Sequence, residues 1–595
     1  MNVNYSTWNS LPDMFYNVAT KHGESAFLWK KSSGEYQALS WKTVLDEVTR
    51  LAIGLKNLEV KKGDRIAIVS ENRPEWAIAD LAIMSVGAIS VPTYITNTIE
   101  DHKHILSDSS AIGVMVSNEI LAKKILAAAD NISSTKFVVA MDDINISNSS
   151  TSVYQWRDIL KKVVDSNKNI VQILANISRQ DTACIIYTSG TGGKPKGVML
   201  SHEAIMTNCM GAHELLQQLG LGKEVFLSFL PLSHAYEHTA GLYFPISIGA
   251  EIYYAESVDT LSTNLLEAKP TIMVSVPRLY EVMHRRITSA LKRQSKTKQT
   301  LFNNAIILGT KVYNSPSQLT LVQRLTNAVL ERLVRDKVRA RFGGKLKAMI
   351  SGGAPLNHEV GMFFTALGVR LLQGYGQTEA GPVISCNTPN KSKLHTVGPP
   401  LTGVEVKIAD DGEILARGKL IMNGYWNDKE LTESVIQDGW LHTGDIGKID
   451  QDGYIQITDR KKDIIVLSGG DNLSPQKVES ILTLQPQVDQ AMIYGDGKPH
   501  IIALIVPDKE FTDNWVSENN YTENLSSLPK NKYFIQALST AIEQANELLS
   551  PIERIKGFLI ATEPFTIDNE LLTPTLKLRR HKILQLYKKP LDDVY

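Results

Sequence analysis

The chain has 595 residues, 43% of them hydrophobic, with 63 basic and 63 acidic side chains. That is a soluble globular composition with room for more than one core, and zero net charge argues against nucleic acid as a partner. Three widely spaced cysteines, Cys184, Cys209 and Cys386, fit neither a disulfide framework nor a zinc site and point to a reducing compartment.

The opening MNVNYSTWNSLPDMF lacks a basic segment followed by an apolar run, so no signal peptide is expected. In KTVLDEVTRLAIGLKNL, the residues Val44, Leu45, Val48, Leu51, Ala52 and Leu55 share one helical face. KKGD then turns, and RIAIVS reads as a buried strand. The most apolar stretch, Trp76 to Tyr94, contains Asp80 and Pro92. A helix from Pro74 running into a strand explains it better than a membrane span. This alternation predicts an α/β domain of layered, largely parallel sheets.

The segment YTSGTGGKPKGVMLSH, Tyr187 to His202, follows β-prone TACIIY and precedes helical HEAIMTNCMGAHELLQQL. It reads as a Gly-rich loop between a strand and a helix, which suits an anion. A P-loop needs G-x-x-x-x-G-K-[ST], and here Pro195 follows Gly193-Lys194. Hydroxyls remain at Thr188, Ser189 and Thr191. Gly190, Gly192 and Gly193 free backbone N–H groups, and Lys194 and Lys196 supply charge, a set suited to phosphate oxygens.

Residues 283–347 are predicted mostly helical, and between Arg285 and Lys347 fifteen Lys/Arg face two acids, Glu331 and Asp336. This is either a solvated helical face or a surface for anionic lipid headgroups or an anionic substrate. Beyond 400, GVEVKIADDGEILARG and DGWLHTGDIGKIDQDGYIQITDR carry Asp-Gly pairs that predict hairpins. A domain boundary is expected at DRKKD, Asp459 to Asp463. SPQKVESILTL then reads as a helix with Ser474 as N-cap and Pro475 at its first position, and QAMIYGDGKPHIIALIVPD as another hairpin.

Five stretches occur in order: the loop at 187–202, SGGAP at Ser351–Pro355, GYGQTE within LLQGYGQTEAG, HTGD ending at Asp445, and TPTLKLRR containing Lys577. Together they resemble the adenylate-forming superfamily of acyl-CoA synthetases, luciferases and peptide-synthetase adenylation domains, over nearly the whole chain. LPLSHAYEH, the 283–347 insertion and the ending LTPTLKLRRHKILQLY most resemble long-chain fatty acyl-CoA synthetases. The resemblance implies an N-terminal domain, 1–459, of layered sheets plus a distorted β-barrel. It also implies a small α+β C-terminal domain, 460–595, on a hinge.

It further implies an ATP-dependent ligase that joins a fatty acid to AMP, releasing pyrophosphate, and then to CoA, with Mg²⁺ as cofactor. Thr188 and Glu379 would hold Mg²⁺, and the 188–197 loop the β and γ phosphates. Thr378 would donate to the α-phosphate. Tyr375 with Ser351, Gly352, Gly353, Ala354 and Pro355 would form the adenine slot, with Gly374, Gly376 and Gln377 in the same nucleotide set. Asp445 would accept from the ribose hydroxyls, aided by Arg460. Lys577 would bridge the attacking carboxylate and the α-phosphate. Lys462 would be the hinge, and Gly469 and Gly470 would let the CoA arm pass. His234 would lie near the acyl carboxylate.

Each residue has an ordinary alternative: a helix-start glutamate, a core aromatic, an Asp turn, a solvated lysine, a structural histidine. LSFLPL and GLYFPISIGA are tunnel walls or core strands. Two departures from the family pattern, Glu570 in place of glycine and Lys419 in place of proline, read as minor. The expected setting is cytoplasmic, on the inner face of a membrane if the basic segment meets lipid; a homodimer is left open. The alternatives are a ligase loading a carrier protein or using medium-chain or aromatic acids, a catalytically silent binding protein, and a phosphotransferase.

Overall fold

The computed structural model describes residues 3–146, 151–161, 172, 174–188, 194–521, 525–567, 569–573 and 577–595. The predicted amphipathic helix runs from Trp41 to Asn57, with Val44, Val48, Leu51, Ala52 and Leu55 buried and Ser40 capping its start. The apolar stretch divides into a helix, Pro74–Ser85, and a strand, Ile89–Thr93. Asp80 is buried between them and their neighbours. Its Oδ2 lies 2.8 Å from His238 Nε2 and accepts the Tyr243 hydroxyl at 2.5 Å, so that oxygen is hydrogen-bonded inside the core. Among the described residues no helix is long and apolar enough to cross a membrane.

Two eight-stranded sheets form the larger part. In one, Ile89–Thr93, Arg65–Val69, Gly113–Val116, Phe137–Ala140 and Ser152–Gln155 run parallel. In the other, Val225–Ser228, Glu251–Tyr254, Ile272–Ser275, Ala348–Ser351 and Leu371–Gly376 do so. Antiparallel strands lie at both edges of the second sheet and at one edge of the first, so the sheets are mixed, parallel at their centres. The main core, with Trp41, Trp76, Phe15 and Phe226, lies where the helices meet both sheets. Cys184, Cys209 and Cys386 are free and buried.

A five-stranded sheet follows, built on the predicted hairpins Val404–Ile408 with Glu413–Gly418 and Trp440–Ile449 with Ile455–Arg460. From Ile465 onward the strands form sheets of their own: Ile465–Val466 with Asn472–Leu473, and Val488–Tyr494, Ile501–Pro507 and Ile555–Ile560. Three apolar clusters among the described residues consist wholly of residues beyond 464. Helix Pro475–Leu482 starts where predicted, but Ser474 makes no capping bond; its hydroxyl serves the Asp459 carboxylate instead.

Two expectations change. The Gly-rich segment joins two antiparallel strands, Thr182–Thr188 and Lys196–Ser201, and helix His202–Leu216 begins only after the second. KGVMLS pairs along the first strand with Gly197, Val198, Leu200 and Ser201 buried, so the segment is held by its place in the sheet rather than by a clear alternation of its own. The insertion is helical as expected, in Pro277–Lys292, Lys296–Asn314, Leu321–Leu330, a π-turn Glu331–Arg335, and Asp336–Arg341. Its charges, however, are not all spent on solvent. Arg285 reaches Asp489 (3.4 Å) and Asp508 (3.5 Å), and Arg293 reaches Glu510 (3.4 Å). Arg335 and Arg339 pair with Glu331, and Lys347 with Glu224.

Candidate active site

The hairpin ends set the first part of the site. Thr188 is half-buried opposite Lys196, and Lys194 is exposed. Ser189, Gly190, Thr191, Gly192 and Gly193 lie outside the described residues. The far end of the loop is braced by His104, whose Nε2 lies 2.9 Å from the Pro195 carbonyl oxygen. Tyr187 donates to Asp108 at 2.5 Å beneath it. The short strand Gly424–Tyr425 pairs with Lys196–Ser201 and brings in Tyr425. The Lys196 ammonium lies 5.6 Å from the centre of that ring, and the Tyr425 hydroxyl donates to Glu379 Oε1 at 2.8 Å. One ring therefore links the loop to the carboxylate expected to hold Mg²⁺. Tyr425 carries no signal in the sequence, because a two-residue strand has no periodicity.

The GYGQTE motif lies at the end of strand Leu371–Gly376. A Cβ at Gly376 would stand 1.8 Å from the Pro382 carbonyl oxygen, so only glycine lets the returning strand approach. Gly374 stands 3.4 Å from the Ser385 oxygen on the same criterion. Gln377 donates its N–H to Pro382, and Thr378 and Glu379, both half-buried, open a single 3₁₀ turn. In the adjacent motif Ser351 is buried, with its Oγ unpaired among the described residues. Gly353 takes φ +82°, and Gly353, Ala354 and Pro355 form an exposed rim. Tyr236 supports this turn from below. Its hydroxyl donates to the Ile350 carbonyl at 3.0 Å, and its ring would be 3.0 Å from a Cβ at Gly352.

Asp445 is clamped from two sides. Tyr375 donates its hydroxyl to Oδ2 at 2.7 Å, and Arg460 Nε lies 3.2 Å from Oδ1, directly across the hairpin. Burial pushes the carboxyl above the ordinary carboxylate range, while Arg460 and Tyr375 pull it back. Tyr375 is thus both a packed ring, 8% exposed, and the donor that orients the carboxylate.

Lys577 enters this corner from the small C-terminal part. Its loop is tied by backbone bonds to Thr573, and by Arg580 just beyond, which grips Glu479 at 2.6 Å. The side chain is open to solvent, yet protein surrounds the ammonium on most sides, as in a wetted cleft. Crowding and the Arg460 cation push its pKa down, and Asp445, Glu379 and Asp463 partly restore it. His234 lies within reach of the Lys577 charge. Burial and the Lys577 charge lower it to about 4, so the ring is neutral near pH 7. Its Nδ1 accepts the Tyr236 N–H at 3.2 Å, which leaves the proton on Nε2. The structure thus gathers Asp445, Arg460, Glu379, Lys577 and His234 around one corner.

The remaining candidates lie elsewhere. Lys462 is exposed and follows Lys461, which is anchored to Asp411 (2.6 Å) and Glu413 (3.2 Å). Gly469 and Gly470 form the open tip of the Ile465–Leu473 hairpin, with Gly470 at φ +88°. Of the segments considered as tunnel walls, Leu232, Leu242, Phe244 and Ile246 are packed into the main core. The donors fit Mg²⁺: Glu379 and Thr188 offer hard oxygens, and among the described residues no cluster of three or more His, Cys, Asp or Glu competes.

The AMP-binding enzyme family matches residues 15–426, and the AMP-binding enzyme C-terminal domain matches residues 462–595. The chain belongs to this family. It is 34% identical over 559 residues to the long-chain-fatty-acid–CoA ligase FadD15 of Mycobacterium tuberculosis, covering 92% of this chain and 91% of that one. It is 28% identical over 594 residues to long chain acyl-CoA synthetase 3 of Arabidopsis thaliana, covering 95% and 88%. Among solved structures, the adenylation domain of a carboxylate reductase from Mycobacterium chelonae superposes with a TM-score of 0.76 at 20% identity, covering 98% of this chain and 91% of that one. The architecture is therefore that of adenylation domains, with a separate small C-terminal unit.

Proposed function

We propose that this protein is an AMP-forming ligase that converts a long-chain fatty acid to its acyl-CoA in the cytoplasm. The observation that carries the reading is the corner itself: one cation from the C-terminal part, Lys577, stands among Asp445, Glu379, Arg460 and His234. The names of the relatives at 34% and 28% identity support the long-chain acid and CoA as substrates.

The chemistry follows from the residues. A carboxylate oxygen attacks the α-phosphorus of ATP, an O–P bond forms, and the bond to pyrophosphate breaks. Negative charge gathers on both reactants, so catalysis there is mainly positioning and charge stabilisation. Lys577 spans carboxylate and α-phosphate. His234, neutral and protonated on Nε2, donates to the carboxylate without adding charge. Asp445 holds the ribose and Thr378 the α-phosphate. Tyr375 and the Ser351–Pro355 turn take the base, with Gly374, Gly376 and Gln377 around it. Mg²⁺ held by Thr188 and Glu379 would neutralise phosphate charge.

In the second step the CoA sulfur attacks the acyl carbon, the C–O bond to AMP breaks, and the thiol proton is lost. We place the division of the chain at 459/460. The C-terminal part turns about Lys462, withdrawing Lys577 and presenting Gly469 and Gly470 to the CoA arm.

The test is isotopic. With ATP, Mg²⁺, CoA and oleate labelled in its carboxyl oxygens, the released AMP is expected to carry one labelled oxygen; unlabelled AMP overturns the reading. Because each buried methylene contributes about 0.8 kcal/mol, turnover at limiting acid should also rise steadily with chain length. A flat profile would assign the enzyme to shorter acids.

A further inference from the structure

The helix Leu321–Leu330 is apolar on two opposite sides. Leu330, and Val334 in the π-turn after it, are buried against the neighbouring core. On the other side Leu321 (78% exposed), Val322 (72%), Leu325 (72%) and Val329 (55%) face solvent. At about 100° per residue these four fall within about 100° of arc, opposite Leu330. Leu333 extends the stripe into the π-turn. Ile307, also exposed, lies on helix Lys296–Asn314 one turn before Lys311, whose ammonium reaches Gln323 at 3.0 Å. Most exposed aliphatic side chains on a protein stand singly; a continuous stripe on one helix marks a contact surface.

Charge identifies what meets it. Arg324 lies at the edge of the arc, and Arg332, Lys337 and Arg341 follow in the next turns. All four are exposed and make no ion pair among the described residues. They differ in this from Arg285 and Arg293, which reach Asp489, Asp508 and Glu510, and from the internally paired Arg335 and Arg339. A second copy of the chain seated on this face by a twofold axis would bring two cationic rims together. A bilayer with anionic lipid accepts both the aliphatic stripe and the cations.

We propose that the outward face of Leu321–Leu333 docks the protein on an anionic membrane surface, with Leu321, Leu325 and Val329 entering the headgroup boundary and Arg324 and Arg332 meeting lipid phosphates. The stripe is roughly 18 Å long, enough for shallow insertion but not for spanning. This inference goes beyond the proposed reaction and does not depend on it. If that reaction holds, the enzyme works where long acyl chains dissolve.

The test uses the full chain and vesicles of phosphatidylcholine and phosphatidylglycerol in equal parts, read by co-sedimentation, beside vesicles of phosphatidylcholine alone. Binding to the mixed vesicles is expected, weakening as salt rises. Leu321→Ser with Leu325→Ser, and separately Arg324→Glu with Arg332→Glu, should each weaken it by roughly tenfold or more. The variants should melt like the parent protein. No binding to mixed vesicles, binding that ignores both pairs of substitutions, or equal binding to phosphatidylcholine alone overturns the proposal. So does a dimer in solution that Leu325→Ser dissociates, which would assign the face to a second copy.

Discussion

Asp445 and Lys577 meet in one corner but are held in opposite ways. The carboxylate sits in a hairpin, 7% exposed, gripped by Tyr375 on one oxygen and Arg460 on the other. The ammonium sits on a loop, open to solvent, with backbone bonds to Thr573 and no side-chain hydrogen bond among the described residues. A group that serves both half-reactions can be braced permanently. On the proposed reading the lysine leaves after the first step, and each fixed contact would slow that departure.

The comparison can be broken most severely at the lysine. Lys577→Ala should slow adenylation, read as pyrophosphate exchange, by roughly a thousandfold, while leaving thioester formation from supplied acyl-adenylate nearly intact. Equal loss of both steps would mean that the lysine never leaves. Tyr375→Phe removes a donor to a buried charge, an effect of about 1.5–3 kcal/mol, or roughly 10- to 100-fold in nucleotide affinity; unchanged ATP binding would show that the clamp is only packing. Lys462→Pro fixes one backbone angle at the pivot and should slow the thiol step by roughly tenfold while exchange continues. Normal overall turnover would move the pivot elsewhere.

Acidity sharpens the contrast further. Because the Lys577 pKa is lowered, the cation is lost as pH rises through a value below the ordinary lysine range. Adenylation should therefore fall on an alkaline limb that Lys577→Arg removes. His234, titrating near 4, should add no limb between pH 6 and 8. The smallest effect is expected at Glu570. It takes φ +60°, a conformation that favours glycine, and its carboxylate pairs with Lys582 at 2.8 Å. Glu570→Gly relieves roughly 1 kcal/mol of strain and loses up to that much from the ion pair, so the melting temperature should move by only a few degrees.

Much of this was legible in the chain itself. Helix Trp41–Asn57 and the Asp-Gly hairpins carry periodicity or turn chemistry strong enough to read locally. The departure at 570 read as minor, yet Glu570 takes φ +60°, a conformation glycine favours, because the turn there is fixed by contacts that the local sequence does not show. The Gly-rich loop was misjudged because its second strand is six residues long and is defined by its partner as much as by its own pattern. Tyr425 and Tyr236 were missed for a related reason: each acts on a residue far away in sequence, Glu379 and Ile350. The basic insertion had two readings because pairing with Asp489, Asp508 and Glu510 spans about two hundred residues, and only folding divides engaged cations from free ones.

The three cysteines, all buried and all before residue 400, make the protein silent to thiol-specific dyes while it remains folded. On the proposed reaction, loss of free CoA can therefore be read by its sulfhydryl colour reaction in samples withdrawn over time, without background from the catalyst. Any slow colour that develops without substrate would count openings of the larger part alone, because the C-terminal part contributes no thiol.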